Sequence, residues 1–187
     1  MHEMNSELIQ TSRLDLRLIG VEDLIAMYED PEHFSLAADA PFTNPHRVLL
    51  DNSGPLRWRV PQVKHDPALN QWFVRFIILR ETEEVIGSIS FHSAPDASGM
   101  IEIGLGVEPA FQNLGYATEA LTGMWQWVCT QPTVRTLRYT VSPNNAASQQ
   151  IIKKFSFSHV GVQIDDEDGP EDIYEMSATE FLMRFPR

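Results

Sequence analysis

The chain holds a single cysteine, Cys129, which excludes an intrachain disulfide and a Cys₂His₂-type zinc site. Its histidines, His2, His33, His46, His65, His92 and His159, are scattered, and no two stand four apart as on the metal-binding face of a helix. No metal is expected. No apolar run approaches the roughly 18–20 residues that a membrane helix needs. Met1-His2-Glu3-Met4-Asn5 lacks the basic-then-apolar order of a secretory signal. The expectation is a cytoplasmic protein with no membrane partner. Positive charge is scarce: 14 Lys and Arg stand against 26 Asp and Glu, a net charge of −12. Such a chain repels phosphate backbones, so nucleic acid is not an expected partner. The same field suits a cationic amine, and it also serves plain solubility. Two phosphate signatures are missing. There is no Gly-x-x-x-x-Gly-Lys-Ser/Thr, and Gly104-Leu105-Gly106 opens a dinucleotide fingerprint that fails at Pro109.

What is present is an ordinary globular composition, 43% hydrophobic and 21% charged over 187 residues. It predicts one domain spanning residues 1–187. Leu14, Leu16 and Leu18 alternate with Arg13, Asp15 and Arg17, the period of a half-buried strand. Gly20 ends it, and acids at Glu22 and Asp23 open a short helix. Residues 31–70 are broken by Pro31, Pro41, Pro45, Pro55, Pro61 and Pro67, which predicts loops with one or two short helices. Strands are expected at 72–79, 85–91 and 101–107, joined by turns short enough to make them antiparallel. A helix follows over 115–129, where Ala117, Ala120, Leu121, Met124, Trp125 and Val128 recur at helical spacing. A strand at 136–141, a helix at 145–155 and strands at 157–164 and 173–176 complete an α/β chain.

The segment that carries chemistry is Gln112-Asn113-Leu114-Gly115-Tyr116-Ala117-Thr118. It links a strand to the start of a helix. The first helical N–H groups have no intrahelical partner and the helix dipole adds positive charge there, so such a turn suits an anion. Gly115 allows close backbone approach, and a diphosphate is the ligand implied.

Gln112-x-x-Gly115-x-Ala117 resembles the pyrophosphate loop of the GNAT acetyltransferases. Gly115-Tyr116-Ala117-Thr118-Glu119-Ala120-Leu121 is similar to the RimJ/RimL-like ribosomal-protein branch of that family. Three further stretches agree in order: Leu8 to Arg17 with the opening strand, Val85-Ile86-Gly87-Ser88-Ile89 with the third strand, and Asn145-x-Ala147-Ser148 followed by Lys154-Phe155-Ser156-Phe157 with the second helix. The resemblance implies the GNAT fold, a mixed and mostly antiparallel central sheet flanked by helices. It implies an N-acetyltransferase that moves acetyl from acetyl-CoA directly to a primary amine. Two departures stand out: Ser156 replaces the usual Gly, and Ile152 stands where many relatives carry a Tyr that acts as general acid.

Roles follow from that resemblance. Backbone groups of the strand, at Leu105 and Val107 among others, would hold the pantetheine and the thioester oxygen. Gln112, Asn113, Leu114, Gly115, Tyr116, Ala117 and Thr118 would hold the phosphates. Glu102 shares a strand face with Gly104 and Gly106 and is the first choice for general base; alternatively it is a strand glutamate paired with an Arg. Ser148 would contact the cofactor and return a proton to the departing sulfur, or simply bond backbone at the helix start. Asn145 is a cofactor contact, an N-cap, or both. Trp58 and Glu167 are candidates for binding the acceptor. Glu167 lies in an acidic run from Asp165 to Asp172 that equally reads as a solvated turn. Two rivals remain open here: another acyl group such as succinyl, and a non-catalytic module on the same fold. The acceptor's identity and the choice of monomer or homodimer are not encoded in these patterns.

Overall fold

The structure is a computed structural model and describes residues 7–165 and 169–186. The fold is α/β. Its strands are β1 (Leu8–Gln10), β2 (Leu14–Leu18), β3 (Arg75–Leu79), β4 (Glu84–Phe91), β5 (Met100–Val107), β6 (Thr136–Val141), β7 (Ser158–Asp165) and β8 (Gly169–Ser177). They form a mixed, mostly antiparallel sheet in the order β1-β2-β3-β4-β5-β6-β8-β7. Helices α1 (Val21–Glu29), α2 (Leu56–His65), α3 (Tyr116–Val128), α4 (Ala146–Phe155) and α5 (Ala178–Arg184) flank it. The chain groups into two compact units, residues 1–92 with 105–124 and residues 93–104 with 125–187.

In the first unit β1, β2, β3 and β4 pair antiparallel in succession. Alternation in β2 buries Leu14 and Leu16 while Asp15 and Arg17 stay partly exposed. Central β3 is buried throughout, with β2 and β4 paired along its two edges. Leu121 and Met124 bury the inner face of α3, and a Cβ at Gly123 would sit 2.7 Å from Thr11 Cγ2. One expectation is corrected here. Trp72 does not start a strand but closes a 3₁₀ turn, Pro67–Trp72. Asp66 caps that turn by accepting from the Ala68 N–H, and β3 begins at Arg75.

In the second unit β6 pairs parallel with the start of β5 and antiparallel with β8, which pairs antiparallel with β7. Its core is aromatic. Trp125 is fully buried, with the rings of Phe155, Phe157 and Phe181 at centroid distances of 4.8, 4.8 and 5.6 Å.

Candidate active site

In the first unit the turn between β5 and α3 is built from the backbone outwards. A 3₁₀ turn, Pro109–Phe111, leaves the strand, and the Gln112 side chain donates back to Val107 O at 2.9 Å. Gln112 thus fastens the turn to the strand. Asn113 and Gly115 both have positive φ, +61° and +85°. This bends the chain sharply just before the first helical amides of Tyr116, Ala117 and Thr118. At Gly115 the left-handed φ itself is what glycine satisfies, since an added Cβ would meet only Arg13 Nη2, at 3.4 Å. Gly87 on β4 lets the backbone of β5 come close, because a Cβ there would fall 2.2 Å from Gly106 O. The other side of Gly106 is open, with nothing within 4 Å of its Cβ position. Leu105 and Val107 are half-buried beside it. Exposed backbone on the strand and a bent, amide-rich turn fit a pantetheine diphosphate.

The N-terminal segment is stapled to this turn. Glu119, in the first turn of α3, accepts from Thr11 Oγ1 at 2.6 Å, from the Arg13 backbone N–H at 2.6 Å and from Arg13 Nε at 2.7 Å. Arg13 Nη1 donates to Leu114 O at 3.1 Å, and the guanidinium lies 4.4 Å from the Tyr116 ring centroid. Sequence reading did not assign Arg13 or Thr11 to the site. Burial alone would raise the Glu119 pKa, but the Thr11 and Arg13 hydrogen bonds and the Arg13 charge together hold it below the ordinary value. The sign of the linkage follows. The stability that Glu119 contributes is complete above its ordinary value of 4.5 and is lost as pH falls through the lower folded value. Glu119→Gln should therefore cost stability at neutral pH, and the deficit should shrink in acid. Urea unfolding of both proteins across that range checks this.

In the second unit β5 and β6 bring Glu102 into place. Ile101 and Ile103 are buried and Glu102 turns to the other face. The parallel register sets Glu102 beside Arg138, and Thr140, two residues on, donates from Oγ1 to Glu102 Oε1 at 2.5 Å. Arg138 is bonded to Glu175 through Nε and Nη2, at 2.8 and 2.6 Å. Asn145 caps α4, its Oδ1 accepting from the Ser148 N–H at 3.0 Å. Ser148 Oγ is 3.4 Å from Tyr139 OH. Tyr139 is 4% exposed, and burial raises its pKa while the Ser148 contact lowers it, the net shift being upward. The structure thus brings Asn145, Ser148 and Tyr139 together, and separately Glu102 and Thr140. Sequence reading missed Tyr139 and Thr140. Neither pairing has a local signal, because both depend on strand register and helix docking.

The other candidates are placed as follows. Trp58 is 48% exposed on α2, with the Arg57 guanidinium 3.8 Å from its ring centroid. Glu167 lies outside the described residues. Of the same acidic run, Glu171 accepts from Gln163 at 2.9 Å, and Asp172 contacts Gln149 at 3.2 Å and His159 at 3.1 Å. Asp172 and Gln149 line a polar cavity of about 400 Å³ beside Lys153 on α4. No helix of the described residues is long and apolar enough to cross a membrane.

Residues 13–158 match the acetyltransferase (GNAT) domain. The chain belongs to the GNAT acetyltransferase family. It is 27% identical over 182 residues to p20 of Bacillus licheniformis, an uncharacterised N-acetyltransferase, covering 95% of this chain and 97% of that one. Its fold matches RimL, a ribosomal L7/L12 alpha-N-protein acetyltransferase, with a TM-score of 0.63 at 14% identity over 92% of this chain and 98% of that one. It also matches the microcin C7 self-immunity acetyltransferase MccE in complex with acetyl-CoA and AMP, with a TM-score of 0.60 at 17% identity over 89% and 93% of the two chains.

The protein is therefore an acyl-CoA-dependent acetyltransferase of the GNAT type. Its two departures from the GNAT pattern have structural readings. Ile152 is 1% exposed, so a buried hydrocarbon fills the position of the family tyrosine. Ser156 ends α4 in the left-handed region, φ 56° and ψ 37°, a conformation that glycine adopts without strain. Ser156→Gly in this GNAT enzyme should stabilise by about 1 kcal/mol and raise Tm by about 2–4 °C. A thermal melt reads this directly.

Proposed function

We propose that the enzyme moves the acetyl group of acetyl-CoA directly onto a primary amine, in the manner of the RimJ/RimL-like branch. Bound acetyl-CoA supplies a thioester carbonyl at which an amine forms its C–N bond as the C–S bond breaks. The N-terminal amides of α3 and the turn from Gln112 to Thr118 hold the phosphates. Backbone at Leu105 and Val107 holds the pantetheine. Glu102 takes the proton that the amine loses, directly or through a water. Ser148, held by Asn145 at its N–H and by Tyr139 at its Oγ, donates to the departing sulfur. With Ile152 in place of the family tyrosine, the Tyr139–Ser148 pair offers a hydroxyl for that step. Trp58 and the acidic residues near Glu167 select a cationic acceptor. RimL, as a protein α-N-acetyltransferase, favours a protein or peptide N-terminus among acceptors.

The observation that carries this reading is the 2.5 Å bond from Thr140 to Glu102, which holds a carboxylate on β5. Thr140→Val should lower kcat by about 10- to 100-fold, the worth of one hydrogen bond to a charged group, while KM for acetyl-CoA stays near its original value. Thr140→Ser should restore most of the rate. The proposal itself is tested by thiol release from acetyl-CoA with a peptide N-terminus, a polyamine and an amino sugar as separate acceptors. Amine-dependent release supports it, and release that no amine accelerates refutes it.

A further inference from the structure

We infer that Arg13 sets the affinity of the phosphate-binding turn for its donor by cancelling the charge of Glu119. The inference rests on the reading of residues 112–118 as the site for the diphosphate of acetyl-CoA.

Glu119 lies one helical turn from Gly115, whose carbonyl accepts its N–H at 3.0 Å. Its carboxylate is ionised at neutral pH, being held below the ordinary range. A negative side chain in the first turn favours a bare helix. At a turn that must receive a dianionic diphosphate it has the opposite effect, because it opposes the ligand's own charge. The site thus carries an acid where an anion should bind, and the structure shows what offsets it. Arg13 pairs with Glu119 through Nε at 2.7 Å and its own backbone N–H at 2.6 Å, with the carboxylate only 16% exposed. The same guanidinium holds Leu114 O through Nη1 at 3.1 Å, covers the Tyr116 ring and brings Nη2 against Gly115. The segment is fixed from behind, Arg80 donating to Thr11 O at 2.5 Å and to Ser12 O. One arginine therefore neutralises the acid and braces the turn. Arg13 is a positioning residue rather than a catalytic one.

The test compares the wild-type enzyme with Arg13→Gln, Glu119→Gln and the double variant. Free CoA is titrated calorimetrically, and turnover is measured with acetyl-CoA and with S-acetylpantetheine, which lacks the phosphates. Arg13→Gln should weaken CoA by about 10- to 100-fold, the effect of one uncompensated charge beside the ligand. It should raise KM for acetyl-CoA and leave kcat and the S-acetylpantetheine kinetics unchanged. Adding Glu119→Gln should recover most of the lost affinity, since no unbalanced acid remains. Glu119→Gln alone should bind CoA more tightly than wild type, which keeps the inference testable if Arg13→Gln does not fold. Unchanged CoA binding by Arg13→Gln overturns the inference, as does a double variant no tighter than Arg13→Gln, or Glu119→Gln binding CoA no more tightly than wild type. Equal losses with both donors would mark a structural role and overturn it too. A wild-type enzyme that binds no CoA removes the underlying reading of the turn, and the inference with it.

Discussion

Replacing Glu102 by Gln is expected to reduce kcat by about 10²–10⁴-fold, the usual contribution of a positioned general base. The substitution is nearly isosteric, and the amide oxygen can still accept from Thr140, so the strand and its register should persist. KM for acetyl-CoA should change little, because the groups proposed to hold the phosphates belong to residues 112–118. That split distinguishes loss of a proton acceptor from damage to donor binding. The chemistry demands such a group. An alkylamine is protonated near neutral pH and cannot attack a carbonyl until it loses that proton. Raising the pH should narrow the gap between variant and wild type, as free amine becomes abundant without help. An unchanged kcat in Glu102→Gln would reassign the base. Thr140→Val would then be expected to have no kinetic effect either, since its only argued role is to hold Glu102.

Trp125→Ala should cost about 3–5 kcal/mol, the range for truncating a buried large aromatic, and lower Tm by about 2–4 °C for each kcal/mol. Trp125 is fully buried, and four rings surround it in the second unit: Phe155, Phe157, Phe181 and, at 6.2 Å, Tyr139. Its removal leaves a cavity that neighbours on α4, β6 and α5 cannot fill without shifting. Trp125→Phe should be far milder, since the indole N–H has no hydrogen-bond acceptor among the described residues. Function should follow. Tyr139 leans on Trp125 and is the partner of Ser148, so the alanine variant should lose activity even at temperatures where it remains folded. Chemical denaturation beside kinetics at low temperature separates the two effects.

Much of this architecture was legible because pattern and environment agreed. Leu14 and Leu16 alternate with charge because β2 has one buried face, and Ala120, Leu121 and Met124 recur because α3 lies against the sheet. The turn at Gly115 announced itself through residue type, since few residues tolerate its φ of +85°. Other parts left fainter traces. Ser177 and Glu180 form the capping pattern of α5, the serine Oγ accepting from the Glu180 N–H at 3.1 Å, but the helix is only seven residues long and easily overlooked. Trp72 read as strand because it leads an apolar run, although the preceding Asp66 and Pro67 form a capped turn. The candidate groups were legible only where they are local. Gln112 to Thr118 is contiguous, whereas Thr140 meets Glu102 across 38 residues and Arg13 meets Glu119 across 106. Contacts of that separation are created by register and docking, which no local pattern specifies.

Use of acetyl-CoA as the donor, as proposed for this GNAT enzyme, can be tested by a thermal unfolding scan. Acetyl-CoA, free CoA and NAD⁺ are added separately. Ligand at about 100 times its Kd stabilises by roughly 2.7 kcal/mol, which for a chain of this length is a rise in Tm of about 5–10 °C. That rise is expected with acetyl-CoA and with CoA, and none with NAD⁺. A melting temperature that no CoA species moves would contradict it.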